Sequence, residues 1–222
     1  MTFDTTQTLL KDAYFFDLDG TLINTTPDIA TAVNLTRQEY ELPLLSLKEV
    51  EAGIGWGATE LITKTFPSTL KESTTQIRER FVHHYQEHLC DQTHLYEGVY
   101  EVLECLASQQ RPMALVTNKP LHLTHPILEK LKIASYFQSI VGGDSFPQRK
   151  PHPRPILESL KALNLTAQQV LFIGDTEVDF KAAQQAQMEV VIVPYGRAVS
   201  LSPLSFDWKE LLDILQDPST PL

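Results

Sequence analysis

Apolar positions along the chain follow two patterns. Five short runs are apolar at nearly every position: Ala13–Asp17, Met113–Thr117, Gln138–Gly142, Val170–Gly174 and Val190–Pro194. Unbroken runs of this length predict strands of a parallel sheet covered on both faces. Between the runs, apolar residues recur at helical spacing: Val102, Leu103 and Leu106 after Gly98; then Ile127, Leu128 and Leu131; then Ile156, Leu157, Leu160 and Leu163. A further helical stretch, Asp179–Gln187, follows the fourth run. Strand alternating with helix predicts an α/β fold with a doubly wound, Rossmann-like parallel sheet.

One interval breaks the rhythm. Almost one hundred residues separate the first two runs, with no convincing strand between them. Helical spacing is present there over Asp28–Tyr40, Gly57–Phe66 and Lys71–Leu89. A structureless loop of that length is uncommon in a compact fold. Residues 24–95 therefore predict an inserted α-helical cap domain, and residues 1–23 and 96–222 an α/β core. Trp208, Leu211, Leu212 and Ile214 predict a last helix. Glycine is used sparingly, nine times in 222 residues, so its placement carries information. Gly20, Gly142, Gly143 and Gly174 stand at strand ends, and Gly53, Gly55 and Gly57 cluster within the insert. Such positions need backbone to approach something closely or to take positive φ.

Composition narrows the class. A chain that is 42% hydrophobic buries a sizeable core and is not disordered. The formal charge of −10 excludes nucleic acid or an anionic membrane as the main partner, because both require a basic surface. A small anion held by a few local cations remains compatible with it. Cys90 and Cys105, the two cysteines, form neither a disulfide framework nor a CxxC metal site. The first sixteen residues read as no export signal, and no apolar run approaches the ~20 residues that span a bilayer. A cytoplasmic protein, monomer or homodimer, is expected.

In an open parallel sheet, ligands bind at the carboxyl ends of the strands. The first run ends in Asp17, Asp19 and Gly20; the second in Thr117, Asn118 and Lys119; the fourth in Gly174 and Asp175, with Asp179 one helical turn later. Lys150 lies between the third run and the fourth. Four carboxylates on one edge repel each other and must take up protons or a cation. Oxygen ligands without Cys or His suit Mg²⁺, which favours one or two carboxylates plus a phosphate. Thr117 and Lys150 then become partners for a phosphoryl group, although Lys119 competes with Lys150 for that part. A carboxylate can attack phosphorus, and a second acid can protonate the leaving oxygen and later activate water.

These residues carry a resemblance. FFDLDGTLINT (residues 15–25), LVTN (115–118), the lysine of RKPHP (149–153) and IGDTEVD (173–179) resemble, in order, the four motifs of the haloacid dehalogenase superfamily. The insert follows the first motif, where that superfamily carries a helical cap. The resemblance implies Asp17 as nucleophile and Asp19 as general acid/base. It implies Mg²⁺ held by Asp17, the Asp19 carbonyl and Asp175, with Asp179 in support, and a phosphoryl group bound by Thr117 and Lys150. LYEGV, MALVTNKP, IVGGDS and KPHPRPIL look like the phosphoglycolate phosphatase branch, and GIGWGATEL (53–61) is similar to its cap loop. That likeness adds Asn118, Gly55 and Trp56 as substrate-binding candidates and makes a small phosphorylated metabolite, 2-phosphoglycolate first, the expected substrate. Two residues depart from the pattern: Arg149 replaces a lysine, and Gln187 stands where a glycine is usual.

Other readings compete. Asp17 and Asp19 alone suit a turn, and Asp175 and Asp179 suit the start of a helix. Gly53-x-Gly55-x-x-Ala58 superficially fits a dinucleotide fingerprint, but it follows the helix-like stretch Ser46–Ala52 instead of a strand. His84-Tyr85-Gln86-Glu87-His88 fits the HxxEH pattern of zinc peptidases. Its plainer reading is a solvated helix face with Phe81, Val82 and Tyr85 turned inward. A sugar phosphate or pyrophosphate as substrate, a phosphomutase, and a silent phosphate-binding domain all share the core motifs.

Overall fold

The computed structural model of the chain describes residues 9–201 and 206–217. Strand β1 (Ala13–Phe16) is followed by the two-residue strand β2 (Ile23–Asn24). Four helices come next: α1 (Thr26–Glu39), α2 (Leu47–Glu51), α3 (Ala58–Thr65) and α4 (Thr74–Glu87). A second two-residue strand, β3 (His94–Leu95), precedes α5 (Val99–Ser108), β4 (Met113–Val116) and α6 (Leu121–Lys130). The chain continues through β5 (Ser139–Val141), α7 (Arg154–Leu163), β6 (Val170–Gly174) and α8 (Glu177–Gln185). It closes with β7 (Glu189–Ile192) and α9 (Trp208–Gln216). No described helix is long and apolar enough to cross a membrane.

Five strands form a parallel sheet in the order β5-β4-β1-β6-β7. The pleat sends alternate residues to opposite faces. Tyr14, Phe16, Met113, Leu115, Leu171 and Ile173 join one cluster, with α5, α6 and α9 against them. Ala13, Phe15, Ala114, Val116, Val170 and Phe172 join another, with α7 and α8. Burial on both faces is why these strands read as continuous apolar runs. Connections leave β1 toward β4 and β5 on one side, and the chain returns to β6 and β7 on the other. The strand order therefore reverses beside β1, which opens a crevice at the carboxyl ends.

Helices α1–α4 pack around their own cluster, including Ile29, Val33, Val50, Ile62, Ile77, Phe81 and Tyr85. Leu123 of α6 joins that cluster from the core side. The interval is not devoid of strand, contrary to the sequence reading. Antiparallel β2 and β3 pair Ile23 with Leu95 and Asn24 with His94, so the insert leaves and re-enters at one place. Two residues are too few to show a hydrophobic period. Buried Asp28 reinforces the junction by accepting from the N–H groups of Gln92 and Thr93 and from the Thr93 hydroxyl.

Caps moved the remaining boundaries. Ser73 and Gln76 form a capping box, so α4 starts at Thr74 instead of Lys71. Thr176 and Asp179 do the same for α8, which starts before Asp179. Strand β7 stops at Ile192, short of Pro194, which has no N–H to continue the ladder. Gln187, exposed and at φ 56°, adopts the left-handed turn that a glycine would take after α8. Its side chain strains that backbone. Gln187→Gly is expected to raise stability by about 0.5–1 kcal/mol, seen as a higher urea midpoint at unchanged slope.

Candidate active site

Asp17 directly follows β1, and its N–H donates to the Ile173 carbonyl at 2.9 Å, so it stays fixed to the sheet edge. The Leu18 carbonyl then accepts from the N–H groups of Thr21, Leu22 and Ile23, folding the chain into a tight turn. Gly20 sits in that turn at φ 88°, and a Cβ there would lie 2.4 Å from Asp175 Oδ2. Only glycine satisfies both conditions. Strand β4 delivers Thr117, which donates its N–H to the Val141 carbonyl. Strand β6 delivers Asp175, the first turn of α8 delivers Asp179, and the loop before α7 delivers Lys150.

These side chains are buried, and all but Thr117 are ionisable. Lys150 Nζ lies 2.7 Å from Asp17 Oδ1 and 2.6 Å from Asp179 Oδ1. The other Asp179 oxygen accepts from the N–H and hydroxyl of Thr176. Asp175 pairs with Arg197 at 2.8 Å and accepts from the Thr21 hydroxyl at 3.3 Å. Asp19 accepts from the Thr25 hydroxyl at 2.8 Å and pairs with Lys119 at 2.9 Å. Burial, reinforced by the charges of Asp179 and Asp19, pushes Asp17 up to about 6 against the pull of Lys150. Burial and the Asp179 charge push Asp175 up to about 8 despite Arg197. Asp179 is held below its ordinary value: burial opposes this, but Lys150 and the Thr176 hydrogen bonds outweigh it. Among the described residues, Asp17, Asp175 and Asp179 form the one group of three potential metal ligands, with ligand atoms within 4.8 Å of each other.

The insert closes over this edge. A cavity of ≈ 60 Å³ brings Asp17, Asp19, Thr117, Asn118 and Lys119 against Ile29, Ile54, Leu61, Phe81 and Tyr85. Lys119 Nζ donates to the Tyr85 hydroxyl at 2.8 Å. Burial pushes that hydroxyl up to about 12, so it keeps its proton at neutral pH. Asn118 Nδ2 donates to the carbonyls of Gly55 and Lys150, while its Oδ1 is buried without a partner. Arg197 reaches from Asp175 to the insert carbonyls of Glu51, at 2.5 Å, and Ile54, at 2.9 Å.

Most of the residues singled out in the sequence thus converge: Asp17, Asp19, Thr117, Asn118, Lys150, Asp175, Asp179 and Gly55. Trp56 does not. Gly55 and Gly57, both at positive φ, turn their backbone to the cavity. The Trp56 ring instead lies 6.0 Å from Lys64 Nζ on the insert. His84 and His88 turn to separate hydrogen-bond partners, Glu39 and Asp91, and do not share a metal site on their helix face. Two contributors escaped the sequence reading. Arg197 stands in a loop without a motif. Tyr85 showed only the inward helical spacing of a core residue.

A parallel sheet with acid-rich strand ends beneath a helical insert is the arrangement that the haloacid dehalogenase-like motifs lead one to expect. The chain belongs to the haloacid dehalogenase-like hydrolases, whose family model matches residues 14–193, and it is a phosphatase. It is 40% identical over 189 residues to the phosphoglycolate phosphatase of Mannheimia succiniciproducens, covering 82% of this chain and 84% of that one. It is 36% identical over 191 residues to the enzyme of the same name from Chromobacterium violaceum, covering 84% and 86%. A crystal structure of a predicted phosphoglycolate phosphatase from Haemophilus somnus 129PT superimposes with a TM-score of 0.86 at 33% identity, over 93% of this chain and 98% of that one.

The raised carboxylates set a pH prediction. A carboxyl whose folded pKa exceeds its unfolded value of 3.8 favours folding at low pH, and that contribution is lost as pH rises through the folded value. In chelator, the melting temperature should therefore fall as pH rises from 5 to 8. A divalent cation held by Asp17 and Asp175 would have to displace whatever protons they carry. Between pH 6 and 8 the proton displaced would be chiefly that of Asp175, so the apparent affinity should rise by up to about tenfold per pH unit there. The Mg²⁺-induced increment in melting temperature should widen accordingly; an increment independent of pH would contradict this picture.

Proposed function

We propose that this enzyme hydrolyses 2-phosphoglycolate to glycolate and phosphate, dependent on Mg²⁺ and through an aspartyl phosphate. In this reading residues 24–95 are the cap, and residues 1–23 and 96–222 the catalytic core. The observation that carries it is the small cavity in which Asp17, Asp19 and Thr117 face an insert wall whose side chains are apolar except for Tyr85. A sugar phosphate would bury several hydroxyls against Ile29, Ile54, Leu61 and Phe81 without partners, at about 1–3 kcal/mol each. A short leaving group meets no such penalty. The names of the relatives point the same way.

The donor set fits Mg²⁺: buried carboxylates close together, without thiolate or imidazole. Asp17, Asp175 and the Asp19 carbonyl would hold the ion. Both oxygens of Asp179 are engaged by Lys150 and Thr176, so Asp179 supports from behind. Bound Mg²⁺ supplies charge stabilisation to the phosphoryl oxygens. Lys150 anchors Asp17 for in-line attack on phosphorus and adds positive charge beside the transferring group. As the new Asp17–phosphorus bond forms, the ester P–O bond breaks, and Asp19 gives its proton to the departing glycolate oxygen. Asp19 then takes a proton from water. That water attacks the aspartyl phosphate, releasing phosphate and restoring the Asp17 carboxylate. The Thr117 hydroxyl orients a phosphoryl oxygen, and the closed insert keeps bulk water out of the first step.

Asp17→Asn should lower kcat by about 10⁴ or more, and Asp19→Asn by about 10²–10⁴. Rapid quench of the native enzyme with labelled substrate should leave label on protein that hydroxylamine removes. Normal turnover by Asp17→Asn would refute the covalent route. Absence of phosphate release from any ester would leave a binding domain.

A further inference from the structure

The cavity contains a cation that the phosphoryl site does not use. Lys150 is bonded to Asp17 and Asp179 and does not line the cavity. Lys119 lines the cavity and is its one cationic lining residue among those described. Its ammonium carries three protons. Asp19 takes up one side of it, at 2.9 and 3.1 Å, and the Tyr85 oxygen another, at 2.8 Å. The Tyr85 ring lies 4.7 Å from the same ammonium. Tyr85 accepts that bond, so its own O–H remains available. Only 2% of Tyr85 is exposed, and this O–H reaches no acceptor among the described residues. A buried donor without an acceptor is costly unless a ligand supplies one.

We propose that Lys119 and Tyr85 together seat the substrate's carboxylate and thereby select phosphorylated short hydroxy acids over neutral phosphate esters. This inference rests on the phosphoglycolate reading above. In such a substrate one methylene separates the ester oxygen from the carboxylate. An ester oxygen positioned at Asp19 therefore carries its carboxylate to the cation that touches Asp19. A substrate carboxylate oxygen then takes over the Lys119 proton that now reaches the second, more distant Asp19 oxygen, and the Tyr85 O–H meets the other carboxylate oxygen, as two charge-assisted hydrogen bonds. The rest of the wall offers neither a second cation nor a further side-chain donor from the insert. It therefore accepts one charge and a short chain. The Tyr85 contribution arrives only with the insert closed, so recognition of the carboxylate and enclosure of the site coincide.

The test compares 2-phosphoglycolate with 2-hydroxyethyl phosphate, in which a neutral CH₂OH replaces the carboxylate. With Mg²⁺, the native enzyme should favour phosphoglycolate by at least about 100-fold in kcat/KM. Tyr85→Phe keeps the ring and should cut that preference by about tenfold, chiefly through KM for phosphoglycolate. Lys119→Met should nearly abolish it. Glycolate, as a competitive inhibitor, should weaken about tenfold against Tyr85→Phe, a readout that holds even if Lys119→Met fails to fold. Equal losses for both esters in Tyr85→Phe would overturn the proposal and leave the pair as supports for Asp19. A native enzyme that turns over both esters equally would overturn it while sparing the phosphatase reading. Release from neither ester would sink that reading as well.

Discussion

Burial of four mutually repelling carboxylates at one sheet edge is the constraint to which this site answers. Asp17, Asp19, Asp175 and Asp179 are all buried where the strand order reverses. Water that would screen them is largely excluded, so the protein must supply compensation. It does so with cations from three separate places: Lys119 after β4, Lys150 before α7 and Arg197 after β7. Four carboxylates against three cations leave a deficit of positive charge, and protonation of Asp17 and Asp175 absorbs part of it. The elevated proton affinity of those groups and their suitability for a divalent cation are two expressions of the same electrostatic shortfall.

That compensation also ties the insert to the core. Arg197 spends its guanidinium on Asp175 and on the carbonyls of Glu51 and Ile54. Lys119 divides itself between Asp19 and the Tyr85 hydroxyl. Asn118 joins the Gly55 carbonyl to the Lys150 carbonyl. Each of these three polar contacts thus shares a group, or is adjacent to one, with the charged cluster. Closure and site electrostatics are therefore linked through specific side chains, beyond the apolar cluster that Leu123 extends from the core.

The sheet was legible because strands buried on both faces leave unbroken apolar runs, as Val170–Gly174 does with every residue buried. The acidic residues were legible because turn and cap chemistry restrict which residue types can stand just past a strand. Gly20 and the Thr176–Asp179 box each mark a backbone constraint in local sequence. The features that stayed hidden depend on partners distant along the chain. Nothing near Tyr85 announces that its hydroxyl meets Lys119, since helical spacing turns a core tyrosine and a binding tyrosine inward alike. Arg197 gains its part from the positions of Asp175 and the insert loop, which only the packed fold brings together. Trp56 misled for the opposite reason: loop glycines brought backbone to the cavity, and the ring between them went elsewhere. At Gln187 the left-handed backbone stands without the glycine that would have marked it in the sequence.

The β2–β3 ribbon has an evolutionary and mechanical corollary. With Ile23 beside Leu95 and Asn24 beside His94, both tethers of the insert meet at one spot. Loop-closure cost grows only slowly with length once the ends are held together. The segment between the tethers can lengthen, shorten or be exchanged for another without disturbing the register of the five-stranded platform. Lineages sharing this platform are thereby free to diversify in the company they keep above it, while the burial that stabilises the sheet stays intact beneath. The same pair of tethers fixes where the segment enters and leaves, so whatever is inserted there is anchored to one end of the crevice.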